Sequence, residues 1–238
     1  MKRTDIVVLC GGFGKRLKGI ISDRPKPMAE FEGKPFLELL IEYFASFGSK
    51  RFILCTGYKS DIIKQHFLNR HNDKEILISK EDKPLGTGGA IRHAIHLINS
   101  NPFFVINGDS FCKLDIYDFY KFHVLKKALV SIALIKVKNM ERYGSVNIDA
   151  IGRIMEFDEK VGSAGNGLIN AGIYLMNKDI SSHMLENQIV FSLEYDLFPK
   201  LISKGLFGMN FNDQHFIDIG TPESFNKAQK LIKEVLHI

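Results

Sequence analysis

Apolar and polar positions along the first hundred residues follow two alternating periods. Short β-branched or aromatic runs, continuously apolar as in buried strands, alternate with stretches whose apolar residues recur at helical spacing. Ile6 to Cys10 reads as a first buried strand, Arg51 to Thr56 as a second, Glu75 to Ser79 as a third and Phe103 to Asn107 as a fourth. Between them, Pro35 to Phe47 sets Phe36, Leu40, Tyr43, Phe44 and Phe47 on one helical face. A helix from Ser60 follows, with Ser60 or Asp61 as its N-cap. Thr87 to Ile98 is a third helix, turning Ala90, Ile91, Ala94, Ile95 and Ile98 inward. This βαβαβαβ order predicts an α/β fold with a mostly parallel, three-layer sheet.

After residue 115 the pattern changes. Val130 to Val137, Gly144 to Ile148, Ile154 to Phe157 and Leu168 to Met176 read as strands with little helix between them. The run from Gly162 to Gly167 predicts a mobile loop. His215 to Ile219 is a last strand, and Pro222 to Leu236 a last helix with Pro222 in its first turn. No repeat, low-complexity tract or linker interrupts the chain. The expectation is one domain over residues 1–238 with a β-rich second part.

Composition narrows the class. The 238 residues are 45% hydrophobic and 25% charged, with a net charge of +5 spread along the chain. A nucleic-acid binder concentrates its basic residues in a patch, so none is expected as partner. A mild positive balance suits small anionic substrates. Cys10, Cys55 and Cys112 are odd in number and widely spaced, which excludes a disulfide framework and a zinc ribbon. No apolar run is long enough to span a bilayer and the N-terminus carries no signal-like region, so a cytoplasmic protein without a membrane partner is expected. The sequence leaves open whether the chain forms a homo-oligomer.

Candidate chemistry starts where the first strand ends. Leu9-Cys10-Gly11-Gly12-Phe13-Gly14-Lys15-Arg16-Leu17 opens a strand into a turn with three glycines, followed by Pro25-Lys26-Pro27-Met28. Such a turn lets backbone N–H groups approach an anion, and Arg16 and Lys26 add two cations near the same sheet edge. The segment is not a Walker loop, which needs Gly-Lys before Ser or Thr, nor a dinucleotide fingerprint, which needs glycine where Leu17 stands. A plain β-turn with solvated charges is the simpler alternative. Glu81-Asp82-Lys83-Pro84-Leu85-Gly86-Thr87-Gly88-Gly89-Ala90 enters a helix with residues small enough for a flat base or ribose to lie against the backbone; Thr87 can also cap that helix. Asn107-Gly108-Asp109 and Ile217-Asp218-Ile219 each end a strand in a carboxylate, a ligand type that suits Mg²⁺, although strand-end acids also cap turns. Glu159-Lys160 and Asn170-Ala171-Gly172 carry little signal alone. His93 and His96 are three apart but lack further ligands, so a helix surface is expected there.

Taken in order, these motifs resemble the sugar-1-phosphate nucleotidyltransferase family, over nearly the whole chain. The resemblance implies a Rossmann-like core with a mostly parallel mixed sheet, whose first part, about residues 1–115, binds nucleotide and whose remainder, 116–238, binds the sugar. It implies that Arg16 and Lys26 hold the triphosphate and that Leu9, Gly11, Gly12, Gly14, Pro84, Gly86, Thr87 and Gly88 line the nucleotide. Asp109 and Asp218 would bind Mg²⁺. Gly144, Glu159, Asn170 and Gly172 would contact the sugar, and Lys160 its phosphate. Ser22 stands where many members have Thr, and Val161 where many have Pro. The wording around Gly86 to Ala90 is most similar to the guanylyltransferase branch acting on a manno-configured heptose 1-phosphate, which implies GTP as donor. Such a reaction needs no histidine base, because the attacking phosphate is already anionic; positioning and charge neutralisation by Arg16, Lys26, Lys160, Asp109 and its metal suffice. Rival readings keep the fold with another base or acceptor, such as mannose 1-phosphate or a CTP-dependent alcohol phosphate, or make the chain a non-catalytic nucleotide-sugar sensor.

Overall fold

The computed structural model describes residues 4–17, 19, 21, 23–68, 73–159, 165–184, 188–211 and 216–236. In chain order the strands are β1 (Ile6–Leu9), β2 (Glu30–Phe31), β3 (Lys34–Pro35), β4 (Arg51–Thr56), β5 (Glu75–Lys80), β6 (Phe103–Asn107), β7 (Ser110–Cys112), β8 (Val130–Val137), β9 (Ser145–Ile148), β10 (Ile154–Asp158), β11 (Gly167–Met176), β12 (Leu206–Asn210) and β13 (Phe216–Asp218). The α-helices are α1 (Phe36–Ser46), α2 (Ser60–Phe67), α3 (Gly86–Ala94), α4 (Ile116–Lys126), α5 (Phe198–Leu201) and α6 (Pro222–Leu236).

Seven strands form one sheet in the order β12-β8-β11-β6-β1-β4-β5. β5, β4, β1 and β6 run parallel, as do β8 and β12. β11 is antiparallel to both its neighbours, β6 and β8, and so joins the two parallel groups into a mixed sheet. Strand side chains alternate between faces, and the two halves of the core show it. Ile6 and Val8 pack with α1, α2, α4 and α6 through residues such as Phe44, Ile63, Phe119 and Ala228. Val7 and Ile53 point the other way, onto α3 and α5 through Ile91, Ala94, Phe198 and Leu201. The expected three layers are therefore present. Cys10, Cys55 and Cys112 are free and buried, and no described helix is long and apolar enough to cross a membrane.

Local differences from the sequence reading have physical causes. The N-cap of α2 is Lys59 in the left-handed region (φ 52°), without a side-chain cap; the Ser60 hydroxyl is taken by Thr56 Oγ1 at 2.7 Å. α3 starts at Gly86 and Thr87 is not its cap, because its hydroxyl bonds across to Glu194. The second half holds more helix than its pattern suggests: α4 is capped by Asp115, which accepts from the Asp118 N–H, and α5 follows a π-helical turn at Leu193–Leu197. Tyr117, Val124 and Leu125 of α4 are exposed, which blurred its amphipathic period. β12 carries no such signal: it has no β-branched residue, Gly208 interrupts it, and Gly205 at φ 98° precedes it. Of the segment Gly162 to Gly167, positions 162–164 lie outside the described residues.

Candidate active site

The carboxyl ends of β1, β4, β5 and β6 share one edge of the sheet, the place where open α/β sheets bind ligands. β1 ends with Leu9 between Cys55 and Asn107. The glycine turn then reverses at Gly14 (φ 57°), a conformation that other residues adopt only with strain. Leu17 anchors the following 3₁₀ turn in the core and leaves Arg16 exposed beside it. A second 3₁₀ turn, Lys26–Met28, buries Pro27 and Met28. With its stem packed in this way, Lys26 is only 12% exposed, and its Nζ lies 2.5 Å from Asp109 Oδ2.

β7 and β13 bring the second acid to the same place. Asp218 pairs with Ser110, and the Ile219 N–H donates to the Asp109 carbonyl at 3.0 Å. A β-carbon added to Gly220 would stand 3.0 Å from Asp218 Oδ1 and 4.0 Å from both Arg16 Nη2 and Lys26 Nζ. Arg16, Lys26 and Asp218 thus surround one point, with Asp109 joined to it through Lys26. Asp218 is well supplied with donors: Tyr143 Oη at 2.7 Å, the Gly220 N–H at 2.9 Å and Ser224 Oγ at 3.0 Å, with Arg142 Nη2 at 3.3 Å. Burial pushes its carboxyl up, but these bonds and the Arg142 charge outweigh burial and hold it below the usual range. The Tyr143 hydroxyl moves up, from burial first and from Asp218 second.

Beside this charged point lies a cleft of about 280 Å³. Its lining includes Leu9, Gly11, Gly12, Lys26, Pro84, Gly86 and Thr87, all expected at the nucleotide, and Asp109, expected at the metal. Gly14 and Arg16 stand at the neighbouring turn outside that lining. Gly88 is placed differently: it is buried, and an added β-carbon would collide with the Phe191 ring at 2.2 Å. The N–H groups of Gly88 and Gly89 donate to the Phe191 carbonyl at 3.0 and 3.2 Å. The smallness of this loop admits the 189–191 segment, and only its outer edge faces the cleft.

The residues expected at the sugar come from the second half. Glu159 follows β10, and Gly144 sits against it, since an added β-carbon would meet Asp158 O at 2.2 Å and Glu159 Cα at 2.6 Å. Burial pushes the Glu159 carboxyl up to about 7, and the negative charges of Glu194 and Asp158 add to the shift. Asn170 and Gly172 lie at a register shift of β11. A β-carbon on Gly172 (φ 72°) would stand 2.7 Å from Asn107 Nδ2, which places this bend over the end of β6. Lys160 lies outside the described residues.

Three residues at the site carry no motif signal. Glu81 precedes the Gly86 helix with no motif of its own. Its Oε1 would touch a β-carbon on either Gly11 or Gly57 at 2.7 Å, its Oε2 accepts from the Leu85 N–H at 3.2 Å, and it lines the cleft. Desolvation raises its pKa. Arg142, which rests on Asp218 and Tyr143, and Glu194 sit in stretches that read as ordinary surface. Among the described residues no group of three or more His, Cys, Asp or Glu is arranged to hold a metal, and His93 and His96 are exposed. Asp109 and Asp218 nonetheless fit Mg²⁺, which takes one or two carboxylates and fills its remaining positions with water and phosphate oxygens. Asp109 in particular is 39% exposed at the cleft.

Residues 5–235 match the family model described as Nucleotidyl transferase. The chain is 38% identical over 234 residues to the D-glycero-α-D-manno-heptose 1-phosphate guanylyltransferase of Aneurinibacillus thermoaerophilus, covering 98% of this chain and 100% of that protein. It is 40% identical over 222 residues to the enzyme of the same name from Campylobacter jejuni, covering 92% and 96%. The solved structure of HddC from Yersinia pseudotuberculosis complexed with GMP-PN superposes with a TM-score of 0.83 at 38% identity, over 97% of this chain and 100% of that one. An inositol-1-phosphate CTP transferase of T. maritima, 20% identical with a TM-score of 0.79, shares the fold.

Proposed function

The chain belongs to the nucleotidyl transferase family, and on that premise we propose that it transfers a guanylyl group from GTP to a D-glycero-α-D-manno-heptose 1-phosphate. A phosphate oxygen of the sugar phosphate attacks the α-phosphorus of GTP, the bond from that phosphorus to the bridging oxygen breaks, and pyrophosphate leaves. The observation that carries this reading is the gathering of Arg16, Lys26 and Asp218 around Gly220, beside the cleft that Asp109 and the glycine turn line. It is supported by the near-full-length likeness to two guanylyltransferases.

Each residue has a task in this reading. Residues 1–115 hold the nucleotide, and 116–238 the sugar phosphate. The backbone of Gly11, Gly12 and Gly14 borders the phosphates, and Arg16 and Lys26 neutralise the charge that grows on them in the transition state. Leu9, Pro84, Gly86 and Thr87 line the nucleoside, with Gly88 behind them. Asp109 and Asp218 would hold Mg²⁺. The ion, when bound, screens the phosphate oxygens and polarises the phosphorus. Glu159, Asn170, Gly144 and Gly172 form the sugar side, and Lys160 meets the sugar phosphate. With an anionic nucleophile, no residue has to remove a proton from it.

Glu81 supplies the missing reader of the base. Guanine presents two adjacent donors, N1–H and N2–H, where uracil and thymine offer one ring N–H and cytosine an amino group alone. A carboxylate has two acceptor oxygens to match that pair. Glu81 stands at the cleft with Oε1 turned toward the Gly11 and Gly57 backbone. The test is a pyrophosphate-release screen of GTP, UTP, CTP and dTTP against several sugar 1-phosphates. Fastest release is expected with GTP and the heptose 1-phosphate; a clear preference for CTP or UTP would refute the guanylyl assignment.

A further inference from the structure

Glu194 belongs to none of the motifs above, yet it touches one of them at Thr87 and reaches a second, Asn170, through Tyr174. It sits in the π-helical turn Leu193–Leu197, which Ser192 caps by accepting from the Glu194 and Tyr195 N–H groups. The residue is 8% exposed. Three hydroxyls donate to its carboxylate: Thr87 Oγ1 and Ser192 Oγ to Oε2, each at 2.6 Å, and Tyr174 Oη to Oε1 at 3.2 Å. A buried carboxylate is expensive unless it is bonded in this way.

The network runs from Thr87 at the cleft to Asn170 in the bend of β11, whose Gly172 lies against Asn107 of the cleft lining. Thr87 lies in the first turn of α3 and lines the cleft beside Gly86. Its Oγ1 also accepts from the Leu193 N–H at 2.8 Å, so that turn is tied to the 192–194 segment twice. Tyr174, fully buried on β11, accepts from Asn170 Nδ2 at 2.8 Å. Asn170 Oδ1 accepts from the Gly172 N–H at 2.9 Å. The Asn170 amide is therefore held at both ends, with one N–H and one lone pair left for a ligand. The register shift of β11 between Asn170 and Tyr174 brings these two side chains together along one strand.

We propose that Glu194 is the positioning residue that couples the two subsites, orienting the Asn170 amide through Tyr174 and the cleft end of α3 through Thr87. The names of the subsites rest on the guanylyl-transfer reading. A purely structural role would call for no particular orientation at either end, and apolar side chains of similar size would fill the same space.

Steady-state kinetics with GTP and the heptose 1-phosphate, on the full chain with melting temperatures alongside, test this. Tyr174→Phe removes the hydroxyl on the sugar side only. It should raise KM for the sugar phosphate about tenfold, the worth of one hydrogen bond in a buried network, with KM for GTP unchanged. In Glu194→Gln the carboxamide can offer its one acceptor oxygen to Oε1's partner or to Oε2's two partners, not to both. The KM on the side that loses its acceptor should then rise, again by about tenfold. An active wild type with variants that lose only melting temperature, both KM values unmoved, overturns the coupling and leaves the function standing. A wild type without turnover on any sugar 1-phosphate overturns both. Should Glu194→Gln not fold, Tyr174→Phe alone decides, because an unmoved sugar-phosphate KM in that variant is sufficient to overturn the proposal.

Discussion

On the side of the cleft proposed for the nucleotide, the chain would meet its substrate with backbone and with cations. Gly11, Gly12 and Gly14 keep the turn bare, and Arg16 and Lys26 stand on short 3₁₀ turns anchored by Leu17, Pro27 and Met28. On the side proposed for the sugar, polar side chains stand at a strand end and a strand bend: Glu159 just after β10, under the charge of Glu194, and Asn170 on β11, held by Tyr174. The first side needs fixed positive charge where negative charge grows during the reaction. The second needs fixed donors and acceptors that match an array of hydroxyls. The difference teaches that one cleft can be pre-organised by two means, local turns on one wall and a long-range network on the other, and that substitutions should divide along the same line.

The largest effect is expected where both walls meet. Asp109→Asn removes a charge from the cleft without touching the core and should abolish Mg²⁺-dependent turnover at unchanged melting temperature. Asp218→Asn should abolish turnover too, but with a lower melting temperature, because Tyr143, Ser224 and Gly220 all donate to that carboxylate. Its pKa is depressed, so the stability it contributes is complete above the ordinary carboxylate range and fades as pH falls through the folded value. A magnesium titration and a melting curve for each variant check both statements; wild-type activity in either variant removes the two-acid clamp.

Next comes the cation. Lys26→Ala should lower kcat/KM by about two to three orders of magnitude, the typical worth of a preorganised charge contact in the transition state. Near-normal kcat/KM would take Lys26 out of the active site and erase the contrast between the walls.

How far each wall can be read from the sequence follows from its construction. The wall proposed for the nucleotide is local: a strand, three glycines and two cations follow one another closely in the chain, with Gly14 at positive φ and Lys26 on Asp109. β1, β4, β5 and β6 and the helices α1, α3 and α6 are legible because their patterns are clean. The sugar wall is assembled from residues far apart in sequence. Thr87 and Glu194 are 107 positions apart, and Arg142 and Asp218 are 76 apart. No spacing rule reports such pairs, so Glu194, Tyr174 and Arg142 read as ordinary residues. Gly88 shows the same limit in reverse. Its smallness was legible, but its use, admitting the Phe191 ring, depends on a segment a hundred residues later.

A smaller effect belongs to the base. Glu81→Gln keeps an acceptor for the Leu85 N–H but puts a donor where guanine also donates. The preference for GTP over UTP should fall by about tenfold to a hundredfold, since discrimination built on hydrogen bonds is lost when a buried group is mispaired. Rates for the two triphosphates with one acceptor measure it, and an unchanged ratio assigns the base reading elsewhere.

The smallest effect is one of pH, and it isolates the sugar wall. Burial, aided by the charges of Glu194 and Asp158, raises the Glu159 carboxyl from its ordinary value of 4.5 to about 7. The folded chain then holds a proton that the unfolded chain has released, so stability falls as pH rises between these two values and levels off above them. Glu159→Gln cannot ionise and should flatten that slope, with a modest gain in unfolding free energy at pH 8 and little change at pH 4. The nucleotide wall has no part in this: Lys26→Ala should leave the slope as it is. Urea unfolding of both variants across the range measures the difference. An equal slope in Glu159→Gln and wild type would mean that the carboxyl is solvated in solution, and the picture of a buried acidic wall would fail with it.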